Sequence, residues 1–125
     1  MDTTELIDRY CAVWSELDED QRRAMLNVVW AEAATYADPH VHAAGADELL
    51  AHIARVRARR PGSKVMRTSA VDFHHVVGRF AWQAVDAEGS KVVDGIDIAF
   101  LGDHGKRLDR IIGFFGPLES RFDTG

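Results

Sequence analysis

The chain reads as an α+β domain, with helices first and strands after. Apolar residues recur at three- and four-residue spacing up to about position 60, then alternate from Lys64 onward. Gly78, Glu88-Gly89 and Gly102-Asp103-His104-Gly105 break the alternating half at intervals too short for crossover helices. Together these observations predict helices packed on one face of a curved antiparallel sheet.

Each element follows from its pattern. Leu6, Ile7, Tyr10, Cys11, Trp14 and Leu17 mark one face of a first helix. Asp18 followed by Gln21 reads as the start of a second, with the aspartate as cap and the glutamine reaching back. That helix turns Met25, Leu26, Val29 and Trp30 inward. Gly45 opens a third, whose face is Leu49, Leu50, Ile53 and Val56, and Pro61 forces Arg60 out of helical geometry. Strands are predicted over residues 64–77, 79–86, 91–101 and 107–115, joined as an antiparallel meander. Trp14, Trp30, Tyr36, Leu49, Ile53, Phe80, Trp82, Ile112 and Phe114 are expected in the interior.

At 125 residues the chain is long enough for one domain, residues 1–125, with a core that needs no staples. A net charge of -5 argues against nucleic acid as the partner. Arg55, Arg57, Arg59, Arg60, Lys64 and Arg67 form a basic cluster without interleaved aromatics, which reads as a solvated helix end rather than a base-stacking surface. Cys11 stands alone, so no disulfide framework is expected and a reducing, cytoplasmic location fits. The acidic Met1-Asp2-Thr3-Thr4-Glu5 start does not resemble a secretory signal, and no apolar run is long enough to span a membrane.

Two fragments carry the chemistry. Tyr36-Ala37-Asp38-Pro39 sets a carboxylate at the end of an apolar stretch, and Gly95-Ile96-Asp97-Ile98-Ala99 sets another inside a strand. Asp97 shares its side of the strand with Val93, Gly95, Ala99 and Leu101, so it must find a partner, become neutral or line a ligand cavity. Desolvation is expected to keep it neutral near pH 7, while Asp38, nearer the mouth beside His40, acts as acceptor. Structural alternatives stay open: Asp38 as a turn former, Asp97 as a core carboxyl satisfied by a tyrosine or histidine from a helix, and Tyr10 as a core tyrosine.

Asp38, His40 and His42 alternate and so could converge, but Pro39 disturbs the geometry, and no third strong ligand with helical spacing supports a metal. No metal or other cofactor is assigned. The two histidines read instead as pocket wall or proton relay. Of His74 and His75 only one can enter a cavity; a bulge in that long strand would swap them, so the choice stays open, with His75 carried among the lining residues. Phe80 and Trp82, on one face with Ala84, read as packing. The opposite face of the Asp97 strand carries Ile96, Ile98 and Phe100, so a second copy of the sheet is expected to cover it as a homodimer.

Three helices, a strand with Tyr-x-Asp-Pro, and a meander ending in Gly113-Phe114-Phe115-Gly116 resemble the nuclear transport factor 2-like superfamily, and within it the SnoaL-like proteins. The resemblance covers residues 6–116. It rests most on the Tyr36 fragment, Arg79-Phe80-Ala81-Trp82, Gly95-Ile96-Asp97 and Asp103-His104-Gly105. It implies a cone-shaped α+β barrel enclosing one pocket, and dimers through the outer sheet face. Ketosteroid isomerase shares the superfamily. By similarity to it, Asp38 would be a general base, Asp97 a protonated acid donating to an oxyanion, Tyr10 the oxyanion tyrosine and Phe115 an aromatic wall. His40, His42, Trp14, Trp30 and His75 complete the expected lining. The resulting expectation is cofactor-free proton transfer, of isomerase or cyclase type, beside a carbonyl on a small apolar molecule. The alternative is a binding domain with the same pocket and no chemistry.

Overall fold

The computed structural model describes residues 1–122. Helix α1 (Thr3–Val13) begins where the Asp2 carboxylate accepts the Glu5 amide at 2.8 Å, and α2 (Glu19–Val29) where Asp18 accepts the Gln21 amide at 2.8 Å. The glutamine contributes its backbone there. Strand β1 (Trp30–Asp38) starts at Trp30, which takes extended geometry at the helix end, and hairpins into β2 (Val41–Ala44). Helix α3 (Gly45–Arg59) opens at Gly45 with φ 79 and closes at Arg60, whose φ/ψ of -136/70 leaves the helical region ahead of Pro61.

The strands differ from expectation in number and in one pairing. The segment predicted as a single strand over 64–77 divides into β3 (Lys64–Arg67) and β4 (Asp72–His74). Gly78 is no separator: β5 (Val77–Val85) begins before it, Gly78 pairs with Ala99, and the reversal falls at His75, which takes φ 54. β6 (Lys91–Gly102) and β7 (Arg107–Phe115) follow, linked by a short 3-10 turn (Asp103–Gly105). The seven strands form one mixed sheet in the order β2-β1-β7-β6-β5-β3, with β4 also on β5. The β3-β5-β6-β7 run is antiparallel as predicted, but β1 lies parallel to β7. Three helices over a curved sheet make the cone-shaped α+β fold.

The core lies between α1, α2, α3 and the concave face. Leu6, Ile7, Leu26, Val29, Leu49, Ile53, Phe80, Leu108 and Ile111 are buried there, as are Trp30 and Tyr36. Leu17 falls beyond α1 and is exposed. Trp14, Trp82 and Ile112 are half-buried, and Phe114 is 57% exposed, because β7 alternates and turns Phe114 to the convex face beside Ile96. The basic cluster is only partly solvated. Arg57 is buried and donates to the Trp14 carbonyl at 2.6 Å and the Ser63 carbonyl at 3.0 Å, tying α3 to the end of α1. Arg67 pairs with Asp8 at 2.7 Å. No helix among the described residues is long and apolar enough to cross a membrane.

Candidate active site

A cavity of about 580 Å³ opens between α1, α3 and the concave sheet. Apolar and aromatic side chains form its walls, and two carboxyl groups sit at its floor; Asp38, expected nearer the mouth, is one of them, its side chain withdrawn from water. The sheet register puts them together. Asp97 on β6 pairs with Gly113 on β7, and Ala37 of β1 pairs with Ile112 on the other side of β7. A Cβ at position 113 would lie 2.8 Å from Asp97 Oδ1 and 3.7 Å from Asp38 Cβ. Gly113 is therefore the gap across which the two carboxyls share one floor.

Asp38 ends β1 with its side chain only 5% exposed. Tyr36, two residues back on the same face, donates its hydroxyl to Asp38 Oδ2 at 2.6 Å. The backbone amide of His40 donates to Oδ1 at 2.8 Å, which is the Asx geometry expected of Asp-Pro. His52 Nε2 lies 3.7 Å from Oδ2. Burial lowers the His52 pKa against the opposing pull of Asp38, with Arg55 and Arg59 adding to the depression, so a neutral imidazole faces Asp38 near pH 7. Trp14, Tyr36 and His52 pack ring on ring with centroids 5.4 to 5.8 Å apart.

Asp97 is 7% exposed, and its partner comes from the neighbouring strand rather than from a helix. Trp82 Nε1 donates to Oδ1 at 2.8 Å. Gly95 makes this possible, since a Cβ there would meet the Trp82 ring at 2.7 Å. Desolvation pushes the Asp97 pKa up to about 7, with the Trp82 bond pulling down and the charge on Asp38 pushing up. Trp82, expected as packing, also lines the cavity as a donor.

Tyr10 lines the cavity from α1 and stacks on Trp30 at 5.8 Å and 14°. Its hydroxyl makes no hydrogen bond of standard geometry among the described residues. Burial, reinforced by Asp97, raises its pKa well above the usual value, so it remains a phenol with an unused donor. Cys11 beside it is pushed up to about 12 by burial and is an inert thiol wall.

The cavity thus gathers Asp38, Asp97, Tyr10, Trp14, His40 and Phe115 from the expected set. His40 and Phe115 rings lie 5.4 Å apart at its edge. Three expectations are corrected. Trp30 is buried behind Tyr10, His42 points outward from β2, and His75 sits exposed at the β4–β5 reversal against His74. Sequence reasoning missed His52 altogether and took Arg59 and Arg60 for a solvated helix end, yet all three line the cavity. Their signal was available: positions 52, 56, 59 and 60 share one helix stripe.

No protein-family model matches the chain, and no curated protein matches it. Solved structures do. A candidate isomerase of the SnoaL-like family from Agrobacterium tumefaciens superposes with TM-score 0.84 at 30% identity, over 91% of this chain and 97% of that one. A candidate polyketide cyclase from Sinorhizobium meliloti gives 0.69 at 13% identity over 90% and 99%. An NTF2-like protein of unknown function from Exiguobacterium sp. gives 0.67 at 20% identity over 90% and 99%. The last two share the fold with this chain.

Proposed function

The chain belongs to the SnoaL-like family, and from that premise we propose that it is a cofactor-free proton-transfer enzyme acting beside a carbonyl on a small molecule. The observation that carries the reading is the pair of carboxyls flanking Gly113 in unequal surroundings. Asp38 Oδ2 takes the proton α to the carbonyl, forming an enolate. The enolate oxygen is met by donors. Trp82 holds Asp97 Oδ1 as an acceptor, which leaves the protonated Oδ2 to donate into the cavity. The Tyr10 hydroxyl supplies a second donor. Tyr36 orients the base, and the proton returns from Asp38 to another carbon of the enolate, completing an isomerisation. Attack of the enolate carbon on a second carbonyl, with the Asp38 proton passing to the resulting alkoxide, would complete a cyclisation instead.

A second reading keeps the pocket without the chemistry. The observation that favours it is that both Asp38 oxygens already accept hydrogen bonds, as a structural carboxylate would. Turnover of simple β,γ-unsaturated ketones, followed by appearance of the conjugated product, separates the two. Loss of turnover in Asp38→Asn supports the enzyme; a wild type as inert as that variant across a ketone panel leaves only the binder.

The convex sheet face belongs to the same proposal. Ile96 and Phe114 are 41% and 57% exposed there, with Ile98, Phe100 and Ile112 beside them. We propose that a second copy covers this face. Sedimentation is expected to give a dimer that Phe114→Glu converts to monomer, and a monomeric wild type at micromolar concentration would contradict it.

A further inference from the structure

The cavity is electrically polarised along its length. His52, Val56, Arg59 and Arg60 occupy one stripe of α3 and its cap, at relative positions i, i+4, i+7 and i+8. Along it burial falls from His52, which is 8% exposed, through half-buried Val56 to exposed Arg59 and Arg60. The stripe therefore runs from floor to mouth. Seven residues of helix span about 10 Å, which separates the Asp38 end from the arginines.

Several arginines elsewhere in the fold are engaged. Arg9, Arg23, Arg67 and Arg79 each face a carboxylate within 3.2 Å. Arg59 and Arg60 make no side-chain hydrogen bond or ion pair among the described residues. The acidic residues lining the cavity are Asp38 and Asp97, both at the floor. An acidic floor, apolar walls and two unopposed cations at the rim fit one kind of molecule.

We propose that the cavity takes an amphiphilic anion, with an apolar body and a carbonyl or hydroxyl end at the floor. Its carboxylate, about 10 Å away, is held at the mouth by Arg59 and Arg60. The inward orientation rests on the proton-transfer reading above; the preference for an anion does not. A carboxylate entering the other way would meet the Asp38 carboxylate and be repelled, so charge at both ends of the cavity sets the orientation.

The test compares 6-hydroxy-2-naphthoate with 2-naphthol by calorimetric titration at pH 7 and low salt. The probes share ring and hydroxyl and differ in the carboxylate. The naphthoate is expected to bind about five-fold more tightly, and the advantage should vanish at roughly 0.5 M salt. Arg59→Gln with Arg60→Gln should remove that advantage while 2-naphthol shifts less than about two-fold; the paired lysine variants should keep most of it. Equal affinities in the wild type, no naphthoate binding at millimolar concentration, or a preference that survives the double glutamine variant would each overturn the proposal. Turnover is read separately. Activity unchanged in Asp38→Asn together with a retained carboxylate preference would remove the enzyme reading and leave this inference standing.

Discussion

Asp38 and Asp97 stand on either side of one glycine, both almost withdrawn from water, yet their surroundings prepare them for opposite work. Two donors converge on Asp38, the Tyr36 hydroxyl and the His40 amide, with His52 alongside. Asp97 has a single donor, the Trp82 indole, and desolvation outweighs it enough to push the pKa up to about 7. As residues, Asp38 is half-buried and Asp97 buried, and the donors around them differ in number. Strand register and the Asp-Pro turn position those donors.

The comparison breaks most visibly if the acceptor is removed. Asp38→Asn keeps the shape but not the basicity, and kcat on a β,γ-unsaturated ketone is expected to fall by roughly 10³-fold. An effect under ten-fold would mean that the two carboxyls are not divided as acceptor and donor. Next in size is Gly113→Ala. Its new methyl would press on Asp97 Oδ1, which Trp82 already holds, so the indole bond or the strand must give. A loss of about 1–3 kcal/mol in denaturant unfolding is expected. An unchanged midpoint would show that the floor has more room than its register implies.

Two smaller effects sharpen the comparison through pH. The folded chain holds the Asp97 proton to about pH 7, whereas an unfolded aspartate releases it near pH 4. Between those values the unfolded state binds fewer protons, so this group lowers stability as pH rises and then levels off. Asp97→Asn should flatten the fall in Tm from pH 4 to 7, which parallel melts would reveal. Trp82→Phe removes the bond that favours the ionised form, so the alkaline loss of activity should move to higher pH. A shift to lower pH would show that the indole acts on Asp97 in some other way.

Much of this was legible in the chain. The alternation around Asp97, with Val93, Gly95, Ala99 and Leu101 on its side, was enough to predict a buried carboxyl with a raised pKa. Tyr10, Trp14 and Leu49 announced helix faces by spacing alone. What escaped was non-local. The parallel pairing of β1 with β7 joins segments some 75 residues apart, and nothing in the period of either encodes it. Without that pairing Asp38 and Asp97 could be matched only by resemblance, and Gly113 had no visible role. His75 was misplaced because the reversal falls three residues earlier than Gly78 suggested, and Gly78 itself lies within the strand. His52 was passed over because a histidine between Leu49 and Ile53 reads as part of an apolar face.

The most direct test of the division between the two carboxyls needs no substrate. Side-chain carboxyl carbons can be titrated by NMR in the wild type, with the Asp97 signal assigned by its absence from Asp97→Asn. The account predicts that Asp97 titrates with a midpoint near 7, well above the ordinary carboxyl range. A midpoint near 4 would show that Asp97 is ionised at neutral pH and cannot donate to an enolate, and the proton-transfer assignment would fall with it.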